Sequence, residues 1–164
     1  MTTAYELWKT AHVLGAAVLF GTGFGIAFFC WFGYRSALRA GEIGTLRTFL
    51  RLTVTADACL TAPAVVLQAV SGVVLMSLLG WSHASPWGLL VWALFVFVGL
   101  CWLPVTAIQI RLRREAEAAS STERLTARFH RLFRVWFSLG IPAFAAVVAL
   151  FYLMVARPLP VAGG

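Results

Sequence analysis

The chain has 164 residues, 61% of them hydrophobic and only 12% charged. A water-soluble domain carries about 25% charged residues, so this composition cannot cover a globule in water. The net charge of +7 would suggest nucleic acid in a soluble protein; here the basic residues sit between apolar runs and read as membrane-topology signals, with attraction to anionic headgroups added.

A spanning helix needs roughly 20 apolar residues. Four runs qualify: Ala11–Gly33, Leu52–Gly80, Gly88–Ile110 and Val135–Ala156. They are too long and too uniformly apolar for barrel strands, which are near ten residues and alternate in polarity. The first run is followed, not preceded, by arginines, so it reads as a retained helix and not a cleaved signal peptide. The expected architecture is all-α: one four-helix membrane domain over residues 1–158, with a disordered tail from 159 to 164.

Loop charge sets the expected orientation. Segment Tyr34–Arg51 holds Arg35, Arg39, Arg47 and Arg51. Segment Arg111–Arg134 holds Arg111, Arg113, Arg114, Arg124, Arg128, Arg131 and Arg134. Only Lys9 and Arg157 lie elsewhere, so the positive-inside rule puts both loops in the cytoplasm and both termini outside. This is the expected topology of a multi-pass protein of a bacterial inner membrane. Trp8, Trp81 and Trp87 flank the outer face, and Trp31, Trp102 and Trp136 the inner one, as interfacial indoles do. The second loop reads as helical at both ends, broken at Ser120–Thr122, with Thr122 a candidate N-cap.

Polar groups within spans are costly and need an account. His12 lies near the outer end of the first helix. It is either a haem or copper ligand or proton-transfer group, or an interfacial histidine bonded to backbone or water; the residue alone favours the second. Met76, Met154 and His83 share its depth, and imidazole with thioether suits haem iron or copper, although methionine also fills gaps between helices. Asp57 is the one acidic residue inside a span, at the depth of Gln109, Arg111 and Arg134. An inward ion pair is the favoured reading and a proton-relay or substrate carboxylate the other. Gln68, in mid-span, is expected to hydrogen-bond across helices or line a polar cavity. Pro63, Pro104 and Pro142 bend their helices. Gly21 and Gly25 form a GxxxG pair that suits close helix packing better than the approach of a flat cofactor. Cys30, Cys59 and Cys101 read as small apolar residues.

Several stretches resemble a bacterial integral membrane family, domain of unknown function 2269. They are Lys9-Thr-Ala-His12-Val-Leu, Phe20-Gly-Thr-Gly-Phe-Gly25, Ala56-Asp57, Thr61-Ala-Pro63-Ala-Val-Val-Leu-Gln68 and Gly72. Cys101-Trp-Leu-Pro104, Gln109-Ile-Arg111, Trp136-Phe-Ser-Leu-Gly-Ile-Pro142-Ala-Phe and Leu153-Met154-Val-Ala-Arg157-Pro158 continue the pattern. Ala58 stands where the family pattern has Trp, and Ala69 where it has Pro. The family looks related to the membrane domain of copper-resistance protein D and to HemJ-type protoporphyrinogen oxidases, which share the Lys9/His12 spacing. In that group the first-helix histidine is associated with haem. The resemblance therefore implies haem b on His12 and brings the functional and structural readings of that residue level.

Three functions follow as expectations. One is a small haem b redox protein exchanging electrons with quinone or another membrane redox partner. The second is a copper-handling or transport protein, which with four helices would need a homo-oligomer to build a pore. The third is a non-catalytic membrane partner or assembly factor. Enzyme activity is not indicated; if present, it would be that of a membrane oxidoreductase.

Overall fold

The computed structural model describes residues 2–156. The expected tail, with Arg157, lies outside the described residues. Helix α1 covers Thr2–Ala40, α2 Ile43–Ala56, α3 Ala62–Leu78, α4 Pro86–Ala118 and α5 Ala127–Val155. A π-helical turn, Asp57–Thr61, joins α2 and α3 into one rod over Ile43–Leu78. There are thus four rods, each long and apolar enough to cross a membrane. Only 6–22% of the most apolar stretch of each is buried within the chain, so most of that surface is left for lipid.

The rods outrun the apolar stretches. At about 1.5 Å per residue, the 39 residues of α1 reach about 58 Å, against a hydrocarbon core of about 30 Å. The arginine segment 34–51 is therefore helical, and the connection is only Gly41-Glu42. The α1 end is a Schellman motif: Gly41, at φ 69°, lets Glu42 N–H reach the Ala37 carbonyl at 3.0 Å. Gly80, at φ 67°, ends α3 the same way, with Trp81 N–H on the Met76 carbonyl at 2.9 Å. Ser85 caps α4 through Gly88 N–H, ahead of Pro86 in the first turn. In the second basic loop the break falls at Ala119–Thr126, and Thr126, not Thr122, caps α5 by accepting from Phe129 N–H. Burial explains the difference. Starting at Ala127 puts Phe129, Phe133 and Trp136 on one buried face, whereas Thr122 lies in a single 3-10 turn.

Packing is concentrated at the arginine-rich end. Cys30 and Ala37 of α1, Leu46 and Leu50 of α2, Leu112 and Ala116 of α4, and Phe129 and Phe133 of α5 form one core. Tyr34 stacks on Phe133 at 3.9 Å between centroids, and its hydroxyl meets His130 Nδ1 at 2.6 Å. Arg47 bonds the carbonyls of Ala116 and Ala119 at 3.0 and 2.6 Å, closing the C-terminus of α4 with a positive charge. Trp136 lies in this core instead of facing the interface.

The opposite end, where the described chain begins and ends, is open. There α1 runs along α3, α4 runs along α5, and α3 makes little contact with the second pair. Phe20 and Phe24 of α1 reach Phe144 of α5 at 4.8 and 5.9 Å, and Trp87 donates to the Leu153 carbonyl at 3.2 Å. A Cβ at Gly21 or Gly25 would meet nothing within 4 Å. The expected close packing at this GxxxG pair is therefore not formed within the chain.

Candidate functional site

The antiparallel seam between α1 and the second rod fixes the polar residues. It pairs Gly33 with Phe49, Cys30 with Thr53, Gly15 with Gln68 and His12 with Ser71. Glycine at Gly15 and Gly33 is what allows this approach: a Cβ would lie 2.7 Å from Gln68 Nε2 at the first and 2.6 Å from the Phe49 ring at the second.

His12 is half-buried, and its Nδ1 lies 2.7 Å from Ser71 Oγ. Ser71 is fully buried and also bonds the carbonyl of Leu67, one turn back in its own helix. A serine has one hydrogen. With that hydrogen given to Leu67, the oxygen accepts from Nδ1–H, which assigns the hydrogen of the neutral ring to Nδ1 and the free lone pair to Nε2. No described residue bonds Nε2. Gln68 donates to the His12 main-chain carbonyl at 2.6 Å, and the ring's Cε1 edge faces Gly72, where a Cβ would be 3.6 Å away. Gln68 thus bonds across helices. The arrangement is that of an oriented imidazole with one nitrogen anchored and the other free to accept a proton or bind a metal.

The other expected members of the outer layer are distributed around this end. Met76 is buried on α3, one turn beyond Gly72. Met154 is half-buried on α5, a helix that α3 scarcely touches. His83 is exposed in the loop before α4, its Nδ1 3.2 Å from Trp92 Nε1. Among the described residues no group of three His, Cys, Asp or Glu side chains converges on a metal position.

The inner layer differs from expectation. Asp57 is buried, but Arg111 and Arg134 are exposed, and among the described residues the ion pairs are Arg113–Glu117 and Arg128–Glu115. The expected Asp57 ion pair is not formed. Long arginine stems at helix ends carry their charge out to the interface and leave the interior to uncharged groups. On the second rod Thr53, bonded to Cys30 Sγ at 2.6 Å, stands one turn before Asp57 and Thr61 one turn after it, while Gln109 is buried on α4. All three cysteines are free thiols.

Sequence reasoning missed Ser71, whose signal was its position three residues after Gln68 in an otherwise apolar helix. It also missed Arg47 as a helix cap and His130 as the partner of Tyr34.

Residues 6–158 match the family described as predicted integral membrane protein (DUF2269). The chain belongs to that family. No curated protein and no solved structure matches it. It is an integral, multi-pass membrane protein, and the family description leaves its activity open.

Proposed function

We propose that this DUF2269 protein is a small membrane redox protein that holds haem b through Nε2 of His12. The observation that carries the reading is the ring anchored at Nδ1 by buried Ser71 while Nε2 has no partner among the described residues. Histidine ligands of metals are commonly held in this way, with the second nitrogen donating to a fixed acceptor that sets tautomer and ring angle. The donor set fits haem iron: a neutral imidazole, with Gly72, which has no side chain, beside the Cε1 edge.

Bound haem b would supply one-electron transfer, exchanged with quinone or another redox partner in the bilayer. Ser71 would orient the imidazole, and Gln68 would hold the α1 backbone at His12 against α3. In this reading the arginine-rich end faces the bacterial cytoplasm and His12 lies near the outer surface.

The test is the absorption spectrum of detergent-purified protein from haem-replete cells. The wild type should show a Soret band that His12→Ala removes. A colourless, folded wild type would refute the proposal. Colourless protein that binds copper would favour the metal-handling alternative, and neither signal would leave a partner or assembly role.

A further inference from the structure

The arginine-rich end carries two surface grooves of the same chemistry. On α1, Trp31, Phe32, Arg35, Ser36 and Arg39 line a groove of about 650 Å³. On α5, Arg131, Arg134, Val135, Ser138 and Leu139 line another of about 350 Å³. Each brings together two guanidinium groups, one serine hydroxyl and an apolar floor. The four arginines and both serines are exposed.

These cations have no counter-charge from the protein. Among the described residues Glu115 and Glu117 are ion-paired with Arg128 and Arg113. Glu42 accepts from Thr45 and Glu123 from Thr122, so neither carboxylate neutralises a groove. Ser36 and Ser138 make no side-chain hydrogen bond among the described residues. One guanidinium is held in place: the Trp31 ring packs on Phe137 at 4.5 Å between centroids, and Arg35 lies over that ring at 5.6 Å.

Depth identifies what carries the missing negative charge. Gly33 ends the first apolar run and Val135 begins the fourth, so Arg35 and Arg134 stand at the hydrocarbon boundary. The Tyr34–His130 contact sets the two helices level there, with Arg35 opposite Arg131. That is the level of lipid headgroups. Just inside it, Phe28, Phe29 and Phe32 are 47%, 63% and 56% exposed on α1, and Val135 is 43% exposed on α5. A soluble anion could meet the arginines but would leave these apolar side chains uncovered.

We propose that each groove seats the phosphate of one anionic phospholipid from the adjoining leaflet, with its acyl chains along the exposed rings and Val135. Guanidinium forks match phosphate oxygens, and the serine hydroxyl adds a donor. Charge selects the headgroup. Neither groove is lined by a carboxylate that could receive an ammonium group, so a lipid of the phosphatidylglycerol class is preferred to a zwitterionic one.

The experiment is native mass spectrometry of the full chain, delipidated in detergent and titrated with phosphatidylglycerol. Wild type should hold two lipids, and phosphatidylcholine with the same acyl chains should bind more weakly. Arg35→Gln with Arg39→Gln should lose one lipid, and Arg131→Gln with Arg134→Gln the other. Affinity at the altered groove should fall about thirtyfold, the effect of two arginines at a membrane surface. Arg113→Gln with Arg128→Gln removes the same charge away from both grooves and should still hold two. Excess inorganic phosphate should displace neither lipid. A wild-type count below two, equal binding of phosphatidylcholine, equal loss in the control pair, or displacement by phosphate would each overturn the proposal. The contrast between the two lipids is read on wild type, so it stands whatever the variants do to folding. None of these readouts depends on haem.

Discussion

The arginine-rich end and the open end of this protein are held together by different forces. At the first, the rods extend past the hydrocarbon core, and Leu46, Leu112, Phe129 and Phe133 of three helices are buried together. Where that packing meets the aqueous interface, apolar burial is favourable at about 25 cal/mol per Å². At the open end lipid is as apolar as the side chains, so burial drives little and the helices adhere through close approach and hydrogen bonds. Gly15, Gln68, His12 and Ser71 supply these between α1 and α3. The contrast teaches a division of labour. One end has a core and no obvious chemistry; the other has few buried side chains and the oriented imidazole.

That division can be broken or sharpened by substitution. The largest effect belongs to the core. Phe129→Ala should cost about 3–5 kcal/mol, read as thermal or denaturant unfolding of the detergent-purified protein, because the ring is fully buried. Next come the glycines, which separate the two ends. Gly33→Ala should destabilise by about 1–3 kcal/mol, since its Cβ would fall 2.6 Å from the Phe49 ring. Gly21→Ala, in open space, should be neutral or up to about 1 kcal/mol stabilising through helix propensity. Equal losses at both positions would erase the contrast.

A smaller change tests the boundary of α5. Thr126→Ala removes the cap on Phe129 N–H and should cost about 1 kcal/mol, while Thr122→Ala should cost less. The smallest effect is electrostatic. The Ser121 hydroxyl, then the residue's own N–H, hold the Glu123 carboxyl below its usual value. A depressed folded-state value stabilises above the unfolded-state value, and the gain is lost as pH falls through the folded one. Glu123 is fully exposed, so Glu123→Gln should only flatten the acid side of the stability profile slightly, as measured by melting temperature against pH.

The spans were readable because length and hydropathy suffice to identify them. The extra turns were not, because Arg35, Arg39 and Arg47 look like loop residues until their stems are seen lining helices that leave the membrane. Thr122 and Thr126 carry the same capping chemistry, and only burial of Phe129 separates them. His12 and Gln68 were visible as polar exceptions in apolar helices, but their connection through Ser71 and the main chain depends on the register between rods, which no local pattern encodes. The same limit applies at Asp57. Depth alone suggested a partner in Arg111 or Arg134, whereas stem length lets both charges leave the interior.

The division of labour is tested most directly by the ratio of haem to protein in the folded, monodisperse fraction of two variants, His12→Ala and Phe133→Ala. The account predicts that His12→Ala folds and carries no haem, while the Phe133→Ala that folds carries as much as wild type at lower thermal stability. Equal haem in both variants, or a wild type without haem, would contradict it.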